Sequence, residues 1–424
     1  MGRMMKMLVT VAAGVALFAA NSSAEEAKGK LKTHAAKAKT ISVKVEGKGV
    51  MLFRYTDQTK FANARNANEI GEDDTLSVEF STTDGANVAS AITRVVAKLP
   101  EGVSAITMDE LQTLVKLGPE KGNYVLVDSR PVSRFNDGHI PTAISVPFAD
   151  LEKTKESRLP ADKSKPLIFY CGGVTCVLSP KSAGLAKKLG YANVRVFSDG
   201  EPAWKKAELP LHASLEFVKE GNIVLVDLRD PAKVAKGYIP RAVNIPAGQL
   251  ASRQSAFPAS KGAPIVFYSD NEAEMLAALE TTRDWEYNRT SLFPGGVEAW
   301  KAKGLEVKNG AAPTAITWTR KLAPGEIYVA DLKKAIETGS AVSIDGRTPE
   351  EFAAGHLKGA INVPADEAVK HLDKLPKDKQ LISYCSTGAR AEMVYDALKD
   401  KGFNITFTKA GIEFAKDGSY KVLE

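Results

Sequence analysis

The sequence predicts an α/β protein: three domains with mainly parallel sheets flanked by helices, preceded by a small all-β module. Three observations carry that reading. Between Thr40 and Lys98 apolar and polar residues alternate with period two, as half-buried strands require. From about residue 104 onward, short apolar runs alternate with helix-like segments, the pattern of strand–helix–strand units. That alternation occurs three times, with the same landmark residues at the same offsets. A chain of 424 residues is long enough for several domains, and 44% hydrophobic with 25% charged residues places it among globular rather than disordered proteins. The net charge of +6 is mild and spread along the chain, so nucleic-acid binding is not expected.

Residues 1–24 read as a signal peptide. Arg3 and Lys6 form a charged start, Met7 to Ala20 an apolar core too short for a comfortable membrane span, and Ser22-Ser23-Ala24 a small-residue cleavage site. No later run is apolar enough to span a bilayer, so an exported protein of the bacterial periplasm, or a secreted one, is expected, without a stable membrane span after cleavage. Residues 25–39, rich in Lys and Ala, read as a flexible lead. Residues 40–98 form the β-barrel-like module: Ile41, Val43 and Val45 alternate with polar residues, as do Leu76, Val78 and Phe80, with turns at Glu46-Gly47-Lys48-Gly49 and Thr83-Asp84-Gly85. It carries no catalytic constellation, and a docking or spacer role is expected of it.

The repeat follows. Val125–Arg130, Val224–Arg229 and Val342–Arg347 each read as a buried strand ending in Asp-x-Arg. Eleven residues beyond each Asp stand His139, Tyr238 and His356; nineteen beyond stand Pro147, Pro246 and Pro364. A later strand in each copy delivers Cys171, Ser269 and Cys385, and a helix-like segment follows. The copies close on Asp199-Gly200-Glu201-Pro202-Ala203-Trp204, Gly295-Gly296-Val297-Glu298-Ala299-Trp300 and Ala410-Gly411-Ile412-Glu413-Phe414. The boundaries are 104–211, 212–308 and 326–424, with residues 309–325 as a Pro- and Gly-containing linker that leaves the third copy separately movable. The first two copies, joined near Leu211, are expected to pack together. Asp128, Arg130, Asp345 and Arg347 are expected to tie loops, His139 and His356 to bond within their turns, and Trp204 and Trp300 to anchor cores.

The chemistry concentrates in Tyr384-Cys385-Ser386-Thr387-Gly388-Ala389-Arg390. A loop squeezed between a strand end and a helix start aims backbone N–H groups at one point, and the helix dipole adds positive potential there. A cysteine so placed reads as a nucleophilic thiolate, with Ser386, Thr387, Gly388, Ala389 and Arg390 as the cradle for an anionic substrate. Three cysteines in an exported chain leave at least one thiol without an internal partner, which favours chemistry over scaffolding. No Cys/His grouping has zinc-ligand spacing.

Asp-x-Arg, the Gly-His-Ile-Pro turn, the strand ending in Cys and the closing Gly-Gly-x-x-Ala-Trp together resemble the rhodanese family of sulfurtransferases, over roughly residues 104–424 in three copies. The resemblance implies transfer of a sulfane sulfur from thiosulfate or polysulfide to cyanide or a thiol through a cysteine persulfide, with no metal or organic cofactor. The third copy has the family's loop, Cys-x4-Arg; cysteine phosphatases of the dual-specificity type use a loop one residue longer, which argues against that activity. The first copy departs from the pattern: Cys171-Gly172-Gly173-Val174-Thr175-Cys176-Val177-Leu178-Ser179 aligns Cys171 with the nucleophile but lacks the arginine, so polysulfide or a protein persulfide suits it better than thiosulfate. Ser179-Pro180 reads as the start of its helix. Cys176 is a candidate redox or resolving thiol; with Cys171 it can form a redox pair or a structural clasp, and the sequence leaves both open. The second copy, Tyr268-Ser269-Asp270-Asn271-Glu272, has no thiol and is expected to be inactive. Two alternatives to free turnover stand beside the sulfurtransferase: a periplasmic persulfide carrier working with a partner protein, and a Cys171/Cys176 thiol redox module.

Overall fold

A computed structural model describes residues 25–423 except 37, 84, 155–157 and 416–418. The proposed signal peptide lies outside these residues. Among the described residues no helix is long and apolar enough to cross a membrane.

The N-terminal module is a six-stranded sheet in the order Gly49–Arg54, Thr40–Val45, Glu25–Ala35, Thr75–Thr83, Ala86–Arg94, Lys60–Ala62, and a further pairing of Gly49–Arg54 with Ala86–Arg94 curls it toward closure. The flexible lead expected at residues 25–39 is therefore corrected: Glu25–Ala35 is an interior strand, antiparallel to Thr40–Val45 on one side and to Thr75–Thr83 on the other. Its physical cause is legible in Ala27-Lys28-Gly29-Lys30-Leu31-Lys32, where Ala27 and Leu31 enter the core and the lysines between them do not. A side chain at position 29 would stand 2.2 Å from the Lys44 carbonyl oxygen, so glycine is required there. Ile41, Val43, Phe53, Leu76, Val78, Phe80 and Ile92 fill the interior.

The three repeats are α/β units with parallel central strands. In the first the order is Ser104–Ala105, Val194–Phe197, Leu167–Tyr170, Val125–Asp128, Ile144–Ser145. The second has Val243–Asn244, Val224–Asp227, Ile265–Tyr268, Thr290–Leu292. The third has Ile361–Asn362, Val342–Asp345, Leu381–Cys385, Ile405–Phe414, and an antiparallel last strand, Tyr420–Leu423. In every copy the strand that delivers the Cys or Ser position is flanked on both sides by parallel neighbours, and Leu167–Tyr170, Ile265–Tyr268 and Leu381–Cys385 are buried throughout.

One polar framework recurs under each of these strands. Arg130, Arg229 and Arg347 each clamp the Asp two residues earlier, with Nη2–Oδ2 distances of 2.6 Å, and donate to the carbonyls of Gly138, Gly237 and Gly355. The hydroxyls of Tyr170, Tyr268 and Tyr384 accept from the amides of Ile140, Ile239 and Leu357, each at 3.1 Å. Buried charges are thus paired and buried amides satisfied, which fixes the turn beside each strand end. His139 and His356 bond the carbonyls of Phe135 and Phe352 and stack on those rings at 3.8 Å, so both are turn residues.

The first two copies pack directly: His139 and His212 exchange backbone hydrogen bonds of 3.0 and 2.9 Å, and Arg289 reaches Asp137 at 2.7 Å. Residues 309–325 hold no regular element, yet they are laid against the second copy. The Asn244 amide donates to the Pro313 carbonyl, Trp318 Nε1 donates to the Asn222 carbonyl at 3.0 Å, and Ile316 and Trp318 pack on its core.

Candidate functional site

In the third copy, strand Leu381–Cys385 runs directly into the loop and helix Ala389–Lys399. Val394 and Leu398, four apart, bury one face of that helix and fix its start over the strand end. Cys385 is fully buried, and its Sγ accepts the Gly388 amide at 3.0 Å. Gly388 has φ of 84°, and a Cβ there would stand 2.4 Å from the Lys409 carbonyl oxygen, so only glycine lets the amide turn toward the sulfur. Thr387, Gly388 and Ala389 line a cavity of about 530 Å³ whose opposite wall is the β module, through Lys32, Thr33, Ser42 and Lys44, with Lys409 beside it.

Arg390 stands elsewhere than the sequence suggested. Its guanidinium is 2% exposed and makes a paired contact with Glu351, at 2.5 and 3.0 Å, while Nη2 also donates to Ser386 Oγ at 2.7 Å. It braces the loop from behind instead of lining the cavity. Burial alone would favour its neutral form; the Glu351 carboxylate and the Cys385 sulfur outweigh this and hold it charged. Glu351 was not foreseen as a site residue. Its signal lay in Thr348-Pro349-Glu350-Glu351, a capping box in which the Glu351 side chain accepts the Thr348 amide at 3.1 Å while Thr348 Oγ1 accepts the Glu351 amide. The cap sets the carboxylate where Arg390 can meet it.

In the first copy Cys171 follows strand Leu167–Tyr170 and is 1% exposed. Its Sγ lies 3.0 Å from Ser179 Oγ and 3.4 Å from the Cys176 carbonyl. The helix begins at Leu178 and no side chain caps it, so the helix start expected at Ser179-Pro180 is corrected: Ser179 lies inside the first turn with its hydroxyl on the Cys171 sulfur. Cys171 and Cys176 are both free thiols. Cys176 is half-buried and lines a cavity of about 480 Å³ that the β module again walls, through Lys30, Glu72, Asp73 and Thr75. Contact with the module is specific: Thr175, 4% exposed, donates to Asp74 at 2.9 Å and accepts the Thr75 amide at 3.1 Å, and the Ala97 amide donates to the Val174 carbonyl at 2.8 Å.

The second copy offers nothing comparable. Ser269 donates to Glu274 at 2.5 Å, and Asp270 pairs with Lys233 at 3.2 Å. Among the described residues no cluster of three or more His, Cys, Asp or Glu could hold a metal ion.

Parallel α/β units that present a cysteine at a strand end, in a loop leading to a helix N-terminus, define a class of thiol-bearing domain. The family description "Rhodanese-like domain" matches residues 111–207, 213–303 and 328–414, and the chain belongs to that family, in three tandem copies. Among curated proteins it is 36% identical over 92 residues to an HTH-type transcriptional regulator of Mycobacterium tuberculosis, covering 22% of this chain and 39% of that one. It is 33% identical over 98 residues to a tRNA uridine(34) hydroxylase of Salmonella newport, covering 21% of this chain and 28% of that one. The chain thus spans well under half the length of these relatives. Among solved structures it is similar to a thiosulfate sulfurtransferase of Pseudomonas aeruginosa, with 17% identity, 74% of this chain and 67% of that one covered, and a TM-score of 0.23. It is also similar to a 3-mercaptopyruvate sulfotransferase of Escherichia coli, with 20% identity, 46% and 95% covered, and a TM-score of 0.21.

Proposed function

We propose that the protein is an exported sulfurtransferase whose third copy moves a sulfane sulfur through Cys385. The observation that carries this is the Gly388 amide on the Cys385 sulfur, which is buried beneath a loop whose residues Thr387, Gly388 and Ala389 line the adjoining cavity. The thiolate attacks the outer sulfur of thiosulfate; the sulfur–sulfur bond of the donor breaks, sulfite leaves with the electron pair, and Cys385 becomes a persulfide. Cyanide or a thiolate then attacks the outer persulfide sulfur, which leaves as thiocyanate or a new persulfide and returns the thiolate. The Gly388 amide stabilises a negative sulfur at Cys385, while the cavity in front of the loop is mixed in charge, with Lys32, Lys44 and Lys409 set against Glu72, Glu392 and Asp396. Arg390 is a positioning residue, holding Ser386 against Glu351. No metal or organic cofactor is invoked.

The test is thiosulfate-to-cyanide transfer together with intact mass after exposure to thiosulfate. Wild type gains one sulfur that cyanide removes, and Cys385→Ser loses both the turnover and the thiosulfate-derived sulfur. Full activity in Cys385→Ser overturns the assignment. The complete burial of Cys385 favours a second reading, a periplasmic persulfide carrier whose loop opens against a partner protein; slow turnover with small donors but rapid persulfide transfer to a thiol protein would favour it.

A further inference from the structure

We infer that in the first copy the sulfur-accepting thiol is Cys176, not the aligned Cys171, and that Cys171 resolves the product by closing a disulfide behind it. This rests on the same sulfane-sulfur chemistry as the proposed function but on different cysteines.

Geometry separates the two thiols. Cys171 is 1% exposed, has Ser179 and the Cys176 carbonyl around its sulfur, and takes no part in the cavity lining. Cys176 lines that cavity, where Lys30, Arg130 and Arg134 balance Glu72, Asp73 and Glu201, so a small sulfur donor that enters meets it before Cys171. The loop presents it firmly. The Cys176 amide donates to the Gly173 carbonyl at 2.9 Å, and Val174 and Thr175 are pinned to the β module by the Ala97 amide and Asp74.

Electrostatics agrees with the geometry. The Cys171 thiol, outweighing burial, lowers the Cys176 pKa below that of an ordinary thiol, with the amides of Leu178 and Gly172 and the charge of Lys30 adding to it. Cys171 moves the other way, well above an ordinary thiol, because it is buried and faces that negative sulfur. The loop therefore favours the thiolate on the cavity-lining Cys176 and the protonated thiol on the buried Cys171, whose sulfur lies 3.4 Å from the Cys176 carbonyl. In place of the loop arginine that this copy lacks, the amides of Leu178 and Gly172 and the charge of Lys30 act on the Cys176 sulfur.

The chemistry follows in two steps. The Cys176 thiolate attacks the terminal sulfur of a polysulfide; that sulfur's bond to the chain breaks, the shortened polysulfide leaves with the electron pair, and Cys176 becomes a persulfide. Cys171 then attacks the Cys176 sulfur. The Cys171–Cys176 bond forms, the outer sulfur leaves with the electron pair and takes the Cys171 proton, and departs as hydrosulfide. Two thiols have been oxidised and one sulfane sulfur reduced. A dithiol reductant is the co-reactant that reopens the pair.

The experiment uses the full chain with Cys385→Ser, so that only these two thiols react, and inorganic polysulfide as the probe. Expected is a product lacking two hydrogens, with stoichiometric sulfide released. Adding Cys171→Ser leaves one sulfur trapped on Cys176 and no disulfide; adding Cys176→Ser abolishes both. Sulfur trapped on Cys171 in the Cys176→Ser variant, with none on Cys176 in the Cys171→Ser variant, overturns the assignment. Persulfide accumulating without disulfide in the Cys385→Ser protein overturns the resolving step. Alkylation by iodoacetamide gives an independent reading in the native fold: Cys176 is expected to react at least roughly tenfold faster than Cys171 at neutral pH, and equal rates would contradict it. Because thiosulfate turnover at Cys385 is read in a separate protein, either proposal can fail without the other.

Discussion

Replacing Glu351 by Gln tests whether the third copy's loop is held from behind. The change keeps the size of the side chain but removes the charge facing Arg390, which is 2% exposed and has no other carboxylate bonded to it among the described residues. Breaking a fully buried pair costs about 3–5 kcal/mol. The Glu351 side chain is 23% exposed, so water screens part of this, and the retained amide oxygen still accepts one bond; a loss of about 1–3 kcal/mol is the appropriate scale. Hydrogen exchange suits a multidomain chain better than a global melt. Amides of Ala389–Lys399 should exchange roughly 5–150-fold faster, while the first copy's helix Leu178–Lys188 is unchanged. Thiosulfate-to-cyanide activity should fall with it, because Ser386 and Gly388 lose their support. The pH dependence has a definite sign. Burial opposes the Glu351 charge, yet Arg390 overrides it and holds the pKa below the ordinary value of 4.5. The stability it contributes is complete above that value and is lost as pH falls through the depressed folded value. Glu351→Gln should erase this acid-dependent loss of protection. Unchanged exchange and unchanged activity would refute the bracing argument.

Other substitutions and conditions give sharp outcomes. Gly388→Ala forces a side chain onto the Lys409 carbonyl at positive φ, at a cost of about 1–3 kcal/mol, and should abolish transfer while the far-UV circular dichroism is retained; wild-type turnover would show that the amide contact is dispensable. Ser269→Cys in the second copy should not restore activity to Cys385→Ser, since Glu274 and Asp270 oppose a sulfur anion there; measurable thiocyanate production would count against that reading. Burial lowers the pKa of both His139 and His212 to about 4 at the seam of copies one and two, with Arg130 further disfavouring a proton on His139 and His139 one on His212. The unfolded chain binds those protons first, so the stability of the seam is complete above about pH 6.5 and is lost progressively as pH falls toward 4. Exchange near residues 211–214 should accelerate across that window, and a flat profile would contradict it.

Much of the fold was legible because its signals are periodic and repeated. Asp-x-Arg, the Gly-His turn and the strand ending in Cys are fixed by one buried network, so their spacing survives in all three copies even where the loop chemistry has been lost. The lead strand Glu25–Ala35 was missed because its composition, rich in Lys and Ala, hid an alternation whose inward positions 27, 29 and 31 are Ala, Gly and a single large apolar residue, Leu31. Arg390 and Glu351 illustrate a different limit. An arginine at the right offset fixes where its backbone lies, but which anion its side chain finds depends on a residue 39 positions away that only the fold brings near. Likewise, alignment marks Cys171 as the nucleophile, whereas burial and the cavity wall, neither visible in the sequence, favour Cys176.

The β module changes what the two cysteine loops can do. Lys30 and Lys32 are neighbours on one strand, and one lines the first copy's cavity while the other lines the third's. Glu72 lines both, so the two cavities adjoin at a single carboxylate. A separate spacer would leave each loop open to bulk water. Here the same sheet roofs both, anchored to the first by Thr175–Asp74 and to the third by the Arg54–Asp366 contact of 3.8 Å. A shared roof restricts which donors can reach the two loops, so deleting residues 25–98 would alter donor selectivity at both loops together, which a spacer would not do.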